Sequence, residues 1–156
     1  MQRVFIAGTA ATPVREHFDR SLLDLALSAL NNALGTITPD RVGALYVGNA
    51  LGDVIAEQSQ LGAVIADAAG MHCEAMRIEA AGASGAMALR QGFQAIASGQ
   101  HEIVAVVGVE KVTDKLDEGL QAALALGLDG EHERAMGLTL TGAWALLMRR
   151  YMHEYG

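Results

Sequence analysis

Apolar positions along the chain fall into short unbroken runs, separated by longer stretches where they recur every three or four residues. Val4-Phe5-Ile6-Ala7-Gly8 is an unbroken run ended by glycine and predicts a buried strand. Residues 9–20, with Pro13 and several charges, predict a loop. Leu22, Leu23, Ala26, Leu27, Leu30, Ala33 and Leu34 then recur at helical spacing. Ser21 or Asp19 can cap that helix and Gly35 can stop it. Pro39-Asp40-Arg41 predicts a short turn, and Ala44–Gly48 predicts a second strand. Residues 48–58 are polar and glycine-containing, as a functional loop would be. A helix over 58–69 follows, with Leu61, Val64, Ile65 and Ala68 on one face and Gly70 at its end. Residues 76–80 predict a third strand. Residues 84–97 predict a helix with few polar positions, expected to be buried on most sides. Ile103–Gly108 carries the strongest strand signal and is expected to be a central strand buried on both faces.

Four strands alternating with three helices give the order βαβαβαβ. This predicts an α/β fold with a central mixed, largely parallel sheet, right-handed crossovers and layered helices. The pattern changes after Thr113. Residues 113–138 are charged, rich in Leu and Ala and broken by Gly119, Gly127 and Gly130, as an inserted loop region would be. A last amphipathic helix is predicted over 139–155, with Trp144, Leu147, Met148 and Tyr151 on one face.

Composition narrows the function. The chain has 156 residues, 51% of them apolar, which suffices for one domain with a real core. Its formal net charge of -7, without a basic run, argues against nucleic-acid binding. The sequence offers no membrane span and no secretory signal. A single cysteine, Cys73, allows no internal disulfide. These features point to the cytoplasm.

The candidate chemistry sits at Ala80-Ala81-Gly82-Ala83-Ser84-Gly85, where a strand is expected to turn into a helix. The free N–H groups and positive dipole end of a helix converge at such a turn. A cysteine thiolate there would be stabilised, yet position 82 is glycine. Ser84 reads as a helix N-cap, without a His/Asp pair to activate it. Cys73 reads as a partly buried structural residue. His72 beside it would point the opposite way along an extended chain. The five histidines show no metal-ligand spacing, so no metal is assigned. Glu110-Lys111 reads as a structural pair after the strongest strand. Met136 suits an adaptable apolar pocket wall, and core packing suits it equally. A dinucleotide fold would need Gly-x-Gly-x-x-Gly after the first strand, which Gly8-Thr9-Ala10-Ala11-Thr12-Pro13 does not supply.

Four ordered stretches resemble the N-terminal half of the thiolase superfamily, in particular sterol-carrier-protein-type thiolases and archaeal acetyl-CoA acetyltransferases. Residues 40–49 end in Val47-Gly48-Asn49, like a family strand. Gln60-Leu61-Gly62 with Ala69-Gly70 is similar to the helix that follows it. Glu79-Ala80-Ala81-Gly82-Ala83-Ser84-Gly85 resembles the active-site segment Glu-Ala-Ala-Cys-Ala-Ser-Gly. Ser98-Gly99, with Gly108-Val109-Glu110-Lys111-Val112-Thr113-Asp114, is similar to the family's Ser-Gly and Gly-Val-Glu-Lys-Met-Thr-Asp. The resemblance runs over essentially the whole chain, including its final helix.

This resemblance implies that residues 1–156 are a thiolase N-terminal domain. The C-terminal half, with its catalytic motifs, is expected to lie outside the chain. It also implies coenzyme A thioesters as substrate or ligand, no further cofactor, and homodimers or tetramers. In the family a cysteine takes the acyl group and C-terminal residues complete the chemistry. Gly82 stands at that cysteine's position, so covalent acyl transfer there is not expected. The pocket residues implied are Gly82, Ala83, Ser84, Gly85 and Met136, with no catalytic residue assigned. Three functions remain open. One is an acyl-CoA-binding, acyltransferase-related protein of lipid metabolism. Another is a CoA-thioester aldolase working with an OB-fold, zinc-ribbon partner. The third is a non-catalytic subunit or scaffold, paired with a C-terminal thiolase half.

Overall fold

The computed structural model describes residues 2–156. It divides into two compact units, residues 1–113 and 114–156. In the first unit, helix α1 (Leu22–Leu34) precedes strand β1 (Ala44–Gly48). A single-turn helix α2 (Gly52–Ile55) and helix α3 (Leu61–Ala68) lead to β2 (Glu74–Ile78). Helix α4 (Ser84–Ala97) then leads to β3 (Val104–Gly108).

Helix α1 begins where the sequence places it. The Ser21 hydroxyl accepts a hydrogen bond from Asp24 N–H, and the Asp24 carboxylate accepts from Ser21 N–H at 2.9 Å. Two otherwise unpaired helix-start donors are thereby satisfied. Gly35 ends the helix at φ +56°, a conformation costly for any residue with a Cβ.

The three strands are all parallel, in the order β2-β1-β3. The chain steps from β1 out to β2, then back across β1 to β3. Right-handed crossovers therefore put α3 and α4 on opposite faces of the sheet. Side chains sort accordingly, with a period of two. Leu45 and Val47 of β1, with Ala105 and Val107 of β3, face Leu22, Leu25 and Leu30 of α1 and Leu61 and Ile65 of α3. Ala44 and Tyr46 face Ala88 and Ala95 of α4, flanked by Ile78, Val104 and Val106. Every residue of β1 is buried.

Three expectations are corrected. Residues 4–8 form no strand, and Phe5 and Ile6 are 79% and 76% exposed. An apolar run becomes a strand only where a neighbour supplies backbone partners. Here Gln2 N–H bonds Ala97 O, and Gly8 passes over the last turn of α1 at Ala33. The central strand is β1, whereas β3 lies at an edge with alternating burial. A Val-rich run reports apolar faces and carries no information on sheet order, which the crossovers decide. Helix α4 has one buried line, Ser84, Ala88, Gly92 and Ala95, while Met87, Leu89 and Phe93 stand exposed. Its small residues are needed only on that line: a Cβ on Gly92 would come within 2.8 Å of Val106 Cγ2. In addition, β2 begins two residues earlier than the sequence pattern suggests.

The second unit holds helix α5 (Asp117–Leu124), two short 3-10 turns and helix α6 (Leu140–Tyr155). Thr139 caps α6 by accepting from Gly142 N–H at 3.0 Å. Trp144, Leu147, Met148 and Tyr151 share a face of α6, as the spacing predicts, and all are exposed.

Measurements at two places, the start of α1 and the end of β1, check this packing. Ser21→Ala should cost about 1 kcal/mol in urea unfolding. The hydrogen bonds from Ser21 hold the Asp24 carboxyl below its ordinary range. A depressed folded-state pKa gives stability that is present above about pH 4 and lost as pH falls through the depressed value. Asp24→Asn should therefore flatten the acid limb of the stability profile. The second place is Gly48, where a Cβ would lie 2.6 Å from Gly85 Cα and 2.8 Å from Ser84 O, both main chain. Gly48→Ala should destabilise by about 1–3 kcal/mol, read from the urea midpoint.

Candidate functional site

The loops leaving the carboxyl ends of β1, β2 and β3 share one edge of the sheet, the edge where parallel α/β sheets bind ligands. The turn from β2 into α4 is built there from the residues that the sequence singles out. Ala80 sits at φ -157° and ψ 46°, outside the extended region, Ala81 is left-handed at φ +46°, and a 3-10 turn over Ala81–Ala83 feeds α4. A left-handed alanine stores strain. The Glu79 carboxylate holds it by accepting Ala81 N–H at 2.6 Å.

Ser84 is not the N-cap, which is Ala83. The Ser84 hydroxyl instead accepts from Ala80 N–H at 2.9 Å and donates to Ala81 O at 2.7 Å. It is buried and stitches the turn shut. A hydroxyl engaged on both sides is a poor nucleophile. Gly82 is exposed at the crest of the turn, and a Cβ built on it meets no atom within 4 Å. The turn thus keeps room for a side chain that it does not carry. Gly82, Ala83, Ser84 and Gly85 are brought together, while Met136 lies in the second unit on a 3-10 turn and is 83% exposed.

A polar network on the same edge goes beyond what the spacing of residues reveals. Asn49, 1% exposed, donates from Nδ2 to Val109 O at 2.9 Å and to the Glu110 carboxylate. Its Oδ1 accepts from Gly52 N–H at 2.9 Å. Glu110 also accepts Leu51 N–H at 3.0 Å. Partial burial pushes the Glu110 carboxyl upward against the pull of these bonds. Beside it, Arg77 of β2 pairs with Asp53 of α2 at 2.6 Å. That bond and one from Ser59 hold the Asp53 carboxyl below its ordinary range. The available signal was an asparagine directly after a strand buried along its whole length, where an unpaired amide would be costly.

Cys73 is half-buried just before β2, and burial raises its thiol, followed by the effect of Glu74. Among the described residues, no group of three or more His, Cys, Asp and Glu is placed to hold a metal ion. No helix among them is long and apolar enough to cross a membrane.

A parallel βαβ unit with a tight, small-residue turn opening an Ala-rich helix defines an α/β protein with its candidate site at the carboxyl edge. The family described as "Thiolase, N-terminal domain" matches residues 4–151, and the chain belongs to that family. It is 39% identical, over its whole length, to an acetyl-CoA acetyltransferase of Methanothermobacter thermautotrophicus. An acetyl-CoA acetyltransferase of Methanocaldococcus jannaschii is 36% identical, also over the whole chain. The benzoylsuccinyl-CoA thiolase subunit BbsB of Thauera aromatica is 30% identical over 99% of the chain. The chain spans 41%, 40% and 39% of the length of these three relatives.

Two substitutions probe the turn. Ala81→Gly should stabilise by about 0.5 kcal/mol, relief of roughly 1 kcal/mol of left-handed strain outweighing the added unfolded-state entropy. Gly82→Cys should fold as the parent does, and its introduced thiol should react with iodoacetamide at a midpoint below the ordinary thiol value of about 8.5. Peptide mapping separates it from Cys73, whose raised thiol should react only at higher pH.

Proposed function

We propose that the chain is the N-terminal part of a thiolase-fold protein that binds coenzyme A thioesters at the carboxyl edge of its sheet, without an acyl-enzyme at position 82. The single observation that supports this is Gly82: a turn with the strain, helix start and free space of a nucleophile's seat, and no side chain on it. A thioester held over Gly82 meets open space and no side chain at that position, so no acyl bond can form there. Relatives named for acetyl-CoA and benzoylsuccinyl-CoA support the ligand class. Cytoplasmic location, self-association and a role in lipid metabolism belong to the same reading.

A second reading is a lyase: carbon–carbon cleavage of a β-hydroxyacyl-CoA needs a polarised thioester and no covalent intermediate. Gly82 favours it over acyl transfer, and the word "subunit" in the name of the Thauera relative accords with a protein that works beside a partner. Such a partner could be a C-terminal thiolase half or an OB-fold, zinc-ribbon protein.

Isothermal titration of the chain with acetyl-CoA should show saturable binding, and intact-mass spectrometry afterwards should show no acetyl adduct. No binding by this chain or by any longer form overturns the reading. A stoichiometric adduct, on Cys73 for example, overturns its non-covalent part. Formation of an aldehyde or ketone from a β-hydroxyacyl-CoA would select the lyase.

A further inference from the structure

Asn49 stands where the ends of all three strands meet. Its backbone N–H bonds Ile78 O at the end of β2. Its side chain reaches Val109 O and Glu110, just past β3, and turns back to Gly52 N–H. The preceding residue, Gly48, closes the ladder on the other side, because Val109 N–H bonds its carbonyl at 3.1 Å. Gly48 is also the residue of β1 that meets the start of α4 main chain to main chain, at Ser84 and Gly85. The segments 49–52, 79–85 and 109–110 thus leave the sheet from one junction, with one buried amide filling it.

We propose that Asn49, clasped by Glu110, is the positioning residue of the site: it fixes the spread of the three strand ends and so sets where the turn at Gly82 sits relative to the loop over 49–52. It touches no ligand in this role. The chemistry of the clasp is specific. Nδ2 must be a donor, because it faces two acceptors, a carbonyl and a carboxylate. Oδ1 must be an acceptor, because it faces Gly52 N–H. Asparagine meets both demands with one planar group. An isosteric aspartate would put an acceptor against Val109 O and a second negative charge against Glu110. Alanine would leave a buried carbonyl and a buried N–H unpaired. Charged groups near Glu110 include Arg77 of β2, Asp53 of α2 paired to it, and the adjacent Lys111. Neither Asp53 nor Arg77 replaces the amide: Asp53 has no donor, and Arg77 pairs with Asp53 through Nη2 while its buried Nη1 makes no hydrogen bond to Val109 O or Glu110.

The inference rests on reading the Gly82 turn as the working edge, but its test does not depend on coenzyme A. Amide hydrogen exchange would be followed on the full chain for the parent, Asn49→Asp, Glu110→Gln and the double variant. In Asn49→Asp, amides of 50–52 and 79–85 should exchange about tenfold faster, while those of 45–47 and of α1 keep the parent's protection. Glu110→Gln alone should show the same pattern more weakly. The double variant should regain part of the protection, because a glutamine amide at 110 can donate to the new carboxylate while Val109 O stays without its donor. The same substitutions made in the Gly82→Cys background should move the midpoint of iodoacetamide reactivity at position 82, and the double variant should return it part of the way.

Unchanged exchange at 79–85 with loss only at 50–52 would overturn the proposal. So would uniform loss across the first unit, or absence of rescue. If Asn49→Asp fails to fold, Glu110→Gln decides alone: exchange at 79–85 equal to the parent's overturns the proposal. Binding lost with the clasp intact would count against the proposed function and leave the positioning role standing.

Discussion

Both helical layers of the first unit pack on one three-stranded sheet, and its central strand is the one buried along its whole length. β1 has every residue out of solvent, with Leu45 and Val47 on one face and Ala44 and Tyr46 on the other. A strand covered on both faces must satisfy all its backbone polar groups within the sheet. It does so by pairing with β2 and β3 over the same five residues, Ala44 to Gly48. That shared register ends all three strands at one level. It creates the edge from which the polar loop, the turn at Gly82 and the segment at Glu110 all emerge. Without the double burial of β1, neither the register nor the edge would be defined.

Close main-chain approach then carries this order into the site. Gly48 lies against Ser84 and Gly85 at a distance that admits no Cβ, so the start of α4 is seated directly on the end of β1. The turn that results is strained at Ala81 and held by two side chains, Glu79 and Ser84, that spend their hydrogen bonds on the backbone. Strain of this kind persists only where its surroundings over-determine it. The N–H groups of Ala80, Ala81, Ala83 and Ser84 all bond within the turn, so what it offers outward is the open space above Gly82.

Much of the first unit was legible along the chain because its signals are local. Ser21 and Gly35 bracket α1, and small residues run through α4 from Ser84 to Ala97. The turn at Gly82 was legible for a different reason: Glu79 to Gly85 is contiguous and resembles a known segment, which also made the missing side chain visible. The clasp between Asn49 and Glu110 was not legible, since the two residues lie 61 apart and meet only because β1 and β3 are neighbours. Ser84 was misjudged as a cap, because φ +46° at Ala81, which lets the hydroxyl reach back to Ala80, has no signature in an alanine.

The sequence by itself determined the alternation of helix and strand from α1 to β3, the family, and the absence of a nucleophile at position 82. Each of these rests on residue type and spacing within a few turns of chain. Only the tertiary structure decided which strand is central, that residues 4–8 stay outside the sheet, and that α4 shows a single buried line. Apolar composition states that a residue can be buried. Which neighbour buries it depends on crossovers and register, and these join residues far apart in the chain.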